Sequence, residues 1–126
     1  VSLSPLCIFR RGSGPIIGAA IHDAHDMRAR VEKRLALDEQ ERLREEDPYT
    51  GEWTQIVKTQ IVGLRSRFEV DLNRPRYEAV YQTPEDAWGL GVWDTPPDEQ
   101  MIETSLREYD DFYESVEAVE SVETLL

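Results

Sequence analysis

Pro15-Ile16-Ile17-Gly18-Ala19-Ala20-Ile21, followed at once by His22-Asp23-Ala24-His25-Asp26, is the stretch on which the reading of the chain turns. A short, nearly continuous apolar run of this kind predicts a strand buried on both faces, as in a parallel or mixed sheet covered by helices. The run stops abruptly at a polar cluster holding both histidines of the chain. In open α/β sheets ligands gather beyond the carboxyl ends of strands. The stretch therefore predicts an α/β fold and a candidate site directly after its first strand.

Working outward, residues 28–45 are rich in Arg, Glu, Leu and Ala and predict helix, interrupted near Asp38. Asp38 can cap the second segment, with Glu41 completing a capping box. Asp47-Pro48 ends it, because proline disfavours helix in the preceding residue. Gln55 to Val62 predicts a strand with Ile56, Lys58 and Gln60 on one side and Val57, Thr59 and Ile61 on the other. After Gly63, Ser66 to Leu72 predicts another strand with Phe68, Val70 and Leu72 on one face, leaving Arg67, Glu69, Asp71 and Asn73 on the opposite one. Residues 73–96 carry Pro75, Pro84, Gly89, Gly91 and Pro96 and predict a long, ordered, functional loop. Ile102, Leu106, Tyr109, Tyr113 and Val116 then repeat at helical spacing, and Val119, Val122 and Leu126 extend the stripe. They predict one amphipathic helix over 97–124, with Thr95 before Pro96 at its start and its many acids on a solvated face.

The chain has 126 residues, enough for one domain spanning 1–126. No apolar run reaches transmembrane length. The N-terminal order, apolar then basic, is the reverse of a secretory signal. Cys7 is the one cysteine, so no internal disulfide forms and a reducing, cytoplasmic setting is expected. Its place in Leu6-Cys7-Ile8-Phe9 suggests a buried structural thiol rather than a nucleophile. A net charge of −12 argues against nucleic acid or an anionic membrane as partner. It leaves a small anion open, because local charge decides that, and the conspicuous arginines cluster in the middle of the chain.

Three clusters can carry chemistry. His22 and His25 are of the type that ligates a catalytic zinc, though a loop can also hold two histidines without metal. Glu45-Glu46-Asp47 places acids at a helix C-terminus, where the dipole disfavours them. Such a local conflict suggests a nearby cation, with Asp47 the candidate ligand. In the stretch from Arg65 to Pro75, Asn73 and Arg74 can grip a carboxylate through a guanidinium fork and an amide, with Asp71 orienting an arginine. A strand with edge charges and a turn at Asn73–Pro75 accounts for the same residues.

At this point the sequence resembles a known family. Ser66-Arg67-Phe68-Glu69-Val70-Asp71-Leu72-Asn73-Arg74-Pro75 is similar to the S-R-x-x-V-D-L-N-R-P motif of the N-formylglutamate amidohydrolases. Ala20-Ile21-His22 stands where that family has a strand ending in histidine, commonly P-H-S-G. This chain departs with His-Asp-Ala-His, which resembles a divergent branch. Asp47 matches the acidic position that follows the histidine, and Trp88 to Trp93 with the final helix match a glycine-containing loop and helix. The resemblance covers about residues 15 to 124.

The resemblance implies a fold like that of the zinc carboxypeptidases and aspartoacylase, of the phosphorylase/hydrolase-like type. The sheet would be partial and mixed with flanking helices, and the fold truncated before its C-terminal half. It implies one divalent metal, Zn²⁺, held by His22 and Asp47. A third ligand would come from a D-x-H-S motif outside this chain or from His25. The implied reaction is hydrolysis of the amide of an N-acyl, typically N-formyl, acidic amino acid such as N-formylglutamate. This belongs to amino-acid catabolism, histidine degradation in the type case. Arg67 would stabilise the oxyanion, and Arg67, Asn73 and Arg74 would bind the substrate, with Trp88 and Trp93 walling the pocket. Two other readings remain open: a non-catalytic fragment binding an anionic metabolite through the central arginines, or an interaction domain docking through its acidic helix.

Overall fold

The apolar run before His22 forms strand β2 (Ile17–Ala20) of a mixed sheet, but it is not buried on both faces: Ala20 is buried, Ile17 and Gly18 are half-buried and Ala19 is exposed. The computed structural model describes residues 6–14 and 16–125, with side chains through 118. Among the described residues the sheet has the order β1-β3-β2, with β1 spanning Cys7–Arg10 and β3 spanning Thr59–Gly63. β1 runs antiparallel to β3 and β2 runs parallel to it. Ile61 sits at the centre, level with Phe9 on one side and Ala19 on the other, and is buried. A parallel pair needs a long crossover. Here it contains α1 (Ala29–Glu32), α2 (Glu39–Glu45) and a 3₁₀ segment, Thr50–Ile56.

The apolar residues before Arg10 thus supply a third strand, and Cys7 is buried in it, its thiol pushed up by desolvation. The strand predicted over 55–62 begins only at Thr59, where Thr59, Ile61 and Gly63 alternate inward as expected. Before it the backbone turns in 3₁₀ form from Tyr49, which sits at φ 69°, and Ile56 is left 89% exposed.

The helix predicted over 28–45 is split more widely than at Asp38 alone. Residues between α1 and α2 bond across to the later loop: Ala36 N–H donates to Val92 O at 2.8 Å and Asp94 N–H to Arg34 O at 2.8 Å. Backbone groups taken by another segment cannot continue a helix. The capping box is formed, with Glu41 N–H donating to Asp38 Oδ1 at 2.8 Å.

Ser66 to Leu72 does not form the predicted strand. Glu69 N–H reaches back to Ser66 O at 3.0 Å, and Phe68 N–H donates to Ser66 Oγ at 3.2 Å, which curls the chain into turns. Phe68, Glu69, Val70, Asp71 and Leu72 are all buried, a run that no half-buried strand allows. Phe68 packs with Leu37, Tyr81, Ala87 and Val92. Val70 and Leu72 pack instead with Cys7, Ile61, Ala79 and Phe112. The acids are buried because they meet cations from different directions, so they share no single face.

The final helix, α3, spans Glu99–Leu125. Its cap is Asp98, whose side chain accepts from Met101 N–H at 2.9 Å, and not Thr95. The buried centre of its inner face is Met101, Ser105 and Phe112, flanked by Leu106, Tyr109 and Val116. The stripe expected at Val119, Val122 and Leu126 lies outside the described side chains. Tyr109 Oη donates to Arg74 O at 2.7 Å and Tyr113 Oη to Leu72 O, so α3 holds the 66–74 turns in place. No described helix is long and apolar enough to cross a membrane.

One acid of α3 leaves the solvated face. Glu108 pairs with Arg28, which also lies 3.4 Å from Glu69. Burial, and then the neighbouring Glu69 carboxyl, push Glu108 up to about 8. A carboxyl raised in the folded state favours folding while protonated. Its contribution is intact below its ordinary value of 4.5 and is lost as pH rises through about 8. Glu108→Gln, which keeps an acceptor for Arg28, should therefore gain stability relative to the parent between about pH 5 and 9, by roughly 4 °C or more in Tm. Thermal melts whose difference stays flat over that range would contradict this. Asp38→Ala should cost about 1 kcal/mol in urea unfolding at neutral pH through loss of the cap.

Candidate functional site

β2 delivers His22 just beyond its carboxyl end, and His22 is buried. Asp47, at the end of α2, is stitched to it by Asp47 N–H donating to His22 O at 3.0 Å. The third contributor is the turn that carries Asp71, 1% exposed. His22 Nε2 lies 2.7 Å from Asp71 Oδ1, and His22 Nδ1 lies 3.4 Å from Asp47 Oδ2. In the tautomer whose proton sits on Nε2, at the shorter contact, Nδ1 presents a lone pair towards Asp47.

Asp71 is the centre of the arrangement. Beyond His22 it accepts from Asn73 N–H at 2.9 Å and from the Tyr81 hydroxyl. Arg67 Nη2 and Arg74 Nε each stand 3.5 Å from Asp71 Oδ2. Burial alone would raise this carboxyl, but the hydrogen bonds from His22 and Tyr81 outweigh it and hold Asp71 at about 2. Tyr81 moves the other way: burial and the adjacent Asp71 charge push its phenol well above the ordinary value, so it stays a donor.

The arginines are fixed on several sides. Arg67 Nε donates to Tyr81 Oη at 3.2 Å and Nη1 to Glu45 O at 3.0 Å, with Asp47 Oδ2 at 3.8 Å. Its guanidinium lies over the Trp88 ring, 4.8 Å from the centroid. Burial would lower Arg67, yet the Tyr81, Asp71 and Asp47 oxygens raise it above the ordinary value. Arg74 donates to Asp86 O and lies 4.7 Å over the Tyr81 ring. Asn73 is exposed beside it.

Of the residues singled out in the sequence, His22, Asp47, Arg67 and Arg74 thus converge around Asp71, and Asn73 adjoins them. His25 goes elsewhere. Its Nδ1 bonds buried Glu46 Oε1 at 2.6 Å and its Nε2 lies 3.5 Å from Glu39, at a cavity of about 300 Å³ shared with Glu32, Leu35, Leu37 and Arg42. Of the two expected walls, Trp88 covers Arg67, whereas Trp93 packs inward and donates from its indole to Tyr81 O at 2.7 Å. Two participants escaped sequence reading. Asp71 was assigned to an arginine and not to His22, although its place in the motif could have pointed to both. Tyr81, ten residues beyond Asp71 in an irregular loop, carried no local signal.

As a metal position, the pair His22 Nδ1 and Asp47 has suitable donor chemistry. Nδ1 lies 3.4 Å from the Asp47 carboxylate, the second imidazole nitrogen is anchored on a carboxylate, and Asp47 is 54% exposed. Among the described residues no group of three or more His, Cys, Asp or Glu could hold a metal ion.

The chain is thus an α/β protein with a polar site at the carboxyl end of its parallel strand, built from a histidine, two carboxylates and two guanidiniums. The model of the N-formylglutamate amidohydrolases matches residues 14–119, and the chain belongs to that family of hydrolases. Neither a curated protein nor a solved structure matches it.

Asp71 gives a pH test. A carboxyl depressed from 3.8 to about 2 contributes stability that is fully present above its ordinary value and is lost as pH falls through about 2. Asp71→Asn should cost about 2 kcal/mol near neutral pH, shrinking towards about pH 2. Urea unfolding that shows the same cost at both ends would remove Asp71 from this role.

Proposed function

We propose that this site belongs to a metal-dependent amidohydrolase acting on an N-acyl acidic amino acid, with N-formylglutamate the type substrate. The observation that carries the reading is the placement of His22. Its Nε2 lies 2.7 Å from Asp71 Oδ1, and its Nδ1 faces Asp47 across 3.4 Å. A metal-ligating histidine characteristically donates its other N–H to a carboxylate in this way. His22 and Asp47 would hold the ion. Zn²⁺ bound there would act as a Lewis acid and lower the pKa of a water to roughly 7.

The protein's own residues bind and orient. Asp71 keeps the imidazole in one tautomer and one orientation. Arg67, beside both Asp47 and Asp71, supplies positive charge where an amide oxygen gains negative charge; losing one such donor costs about 100- to 1000-fold in rate. Asn73 and Arg74 would receive the substrate carboxylate and set the scissile bond against the site. Water adds across the amide, and the C–N bond breaks to give a carboxylate and a free amino acid. A second reading has its own support: among the described residues no group of three or more His, Cys, Asp or Glu could hold a metal ion. In that reading the arginines bind an anionic metabolite without turnover.

Titration calorimetry with N-formyl-L-glutamate, with and without Zn²⁺, separates the readings. Metal-enhanced binding supports the hydrolase site, and metal-indifferent binding supports the anion binder. No binding in either condition would overturn both. Arg74→Lys keeps the charge but loses the fork, and should weaken binding about 10- to 100-fold. An unchanged Kd would remove Arg74 from the clamp.

A further inference from the structure

We propose that Tyr81 is the positioning residue of this site, its hydroxyl fixing Arg67 on Asp71 and its ring fixing Arg74. Among the described residues no other side chain has a hydrogen bond, ion pair or ring contact with all three. The hydroxyl donates to Asp71 Oδ2 and accepts from Arg67 Nε at 3.2 Å. The ring face carries the Arg74 guanidinium at 4.7 Å. One tyrosine thus links the carboxylate that anchors His22 to both candidate substrate-binding arginines.

The surroundings make Tyr81 rigid enough for the task. It is 1% exposed. Its ring packs edge-on against Phe68 and Trp88, with centroids 6.0 Å away in both cases. The Trp93 indole clamps its carbonyl at 2.7 Å. Trp88 in turn covers the far side of Arg67 from a left-handed backbone, φ 46°, which is costly for a bulky residue and marks an over-determined position. A guanidinium has free rotation about its long stem, and a planar fork recognises a carboxylate only when its plane is fixed. The tyrosine supplies that constraint at the Nε of one arginine and at the face of the other. Because Oδ2 receives the phenol, Oδ1 is left for His22 Nε2 and Asn73 N–H.

The functional meaning of this assignment rests on the proposed site, but its test needs neither metal nor substrate. Tyr81→Phe removes the hydroxyl and keeps the ring. In NMR spectra of the chain, Arg67 Nε–H should exchange with water about tenfold faster or more. Arg74 should be unaffected in Tyr81→Phe and should lose its ordered signal in Tyr81→Leu. A Tyr81→Phe protein that is merely less stable, with Arg67 exchange unchanged, overturns the proposal. If that variant does not fold, the parent decides: Arg67 Nε–H should exchange far more slowly than that of the exposed Arg30, and equal rates overturn it. A chain inactive on every N-acyl amino acid would leave these readouts in place, so the two failures are distinguishable.

Discussion

The buried carboxylate of Asp71 is the constraint on which the arrangement depends. Removing an ionised carboxylate from water costs several kcal/mol unless charge and hydrogen bonds replace the lost solvation. Here the replacement comes from three places in the chain: the end of β2 through His22, the turn itself through Asn73 and the two arginines, and the loop through Tyr81. Satisfying one group therefore brings these segments together. A mobile or exposed aspartate would impose no such demand, and His22 and the arginines would have no reason to share a corner of the molecule.

The same logic explains the other buried acids. Glu46 is enclosed by His25, Arg42 and Ser66, and Glu69 by Arg28 and Arg65. Each stands within two residues of the candidate site in sequence: Glu46 beside Asp47, and Glu69 two from both Arg67 and Asp71. Each points away from the site and into its own cationic pocket. Neighbouring acids are in this way separated by direction, and the charge that remains at the site belongs to Asp47 and Asp71, balanced by Arg67 and Arg74. The net charge of the chain says nothing about this balance.

Much of the framework was legible in the residues. The run before His22 was legible as a strand, though not as one left partly exposed, Asp38 and Glu41 announced their capping box, and the spacing from Ile102 to Val116 announced α3. The turns at 66–74 were not legible as turns. Their apolar residues alternate as in a strand, and only the burial of Glu69 and Asp71 between them distinguishes the two cases. The start of β3 was displaced for a similar reason: alternation from Gln55 onwards is compatible with a strand, but the left-handed Tyr49 and the 3₁₀ turn that follows occupy the first part.

The sequence by itself determined the α/β class, the start of α2 marked by its cap, and the motif residues of the candidate site, because these follow from local spacing and side-chain chemistry. Only the tertiary structure decided that His22 and His25, three residues apart, face different partners, and that Tyr81 joins Asp71 and both arginines. Those outcomes depend on where oppositely charged or hydrogen-bonding groups from distant segments meet in a buried space. Nothing in a local pattern encodes the identity of a partner that lies ten, twenty or forty residues away.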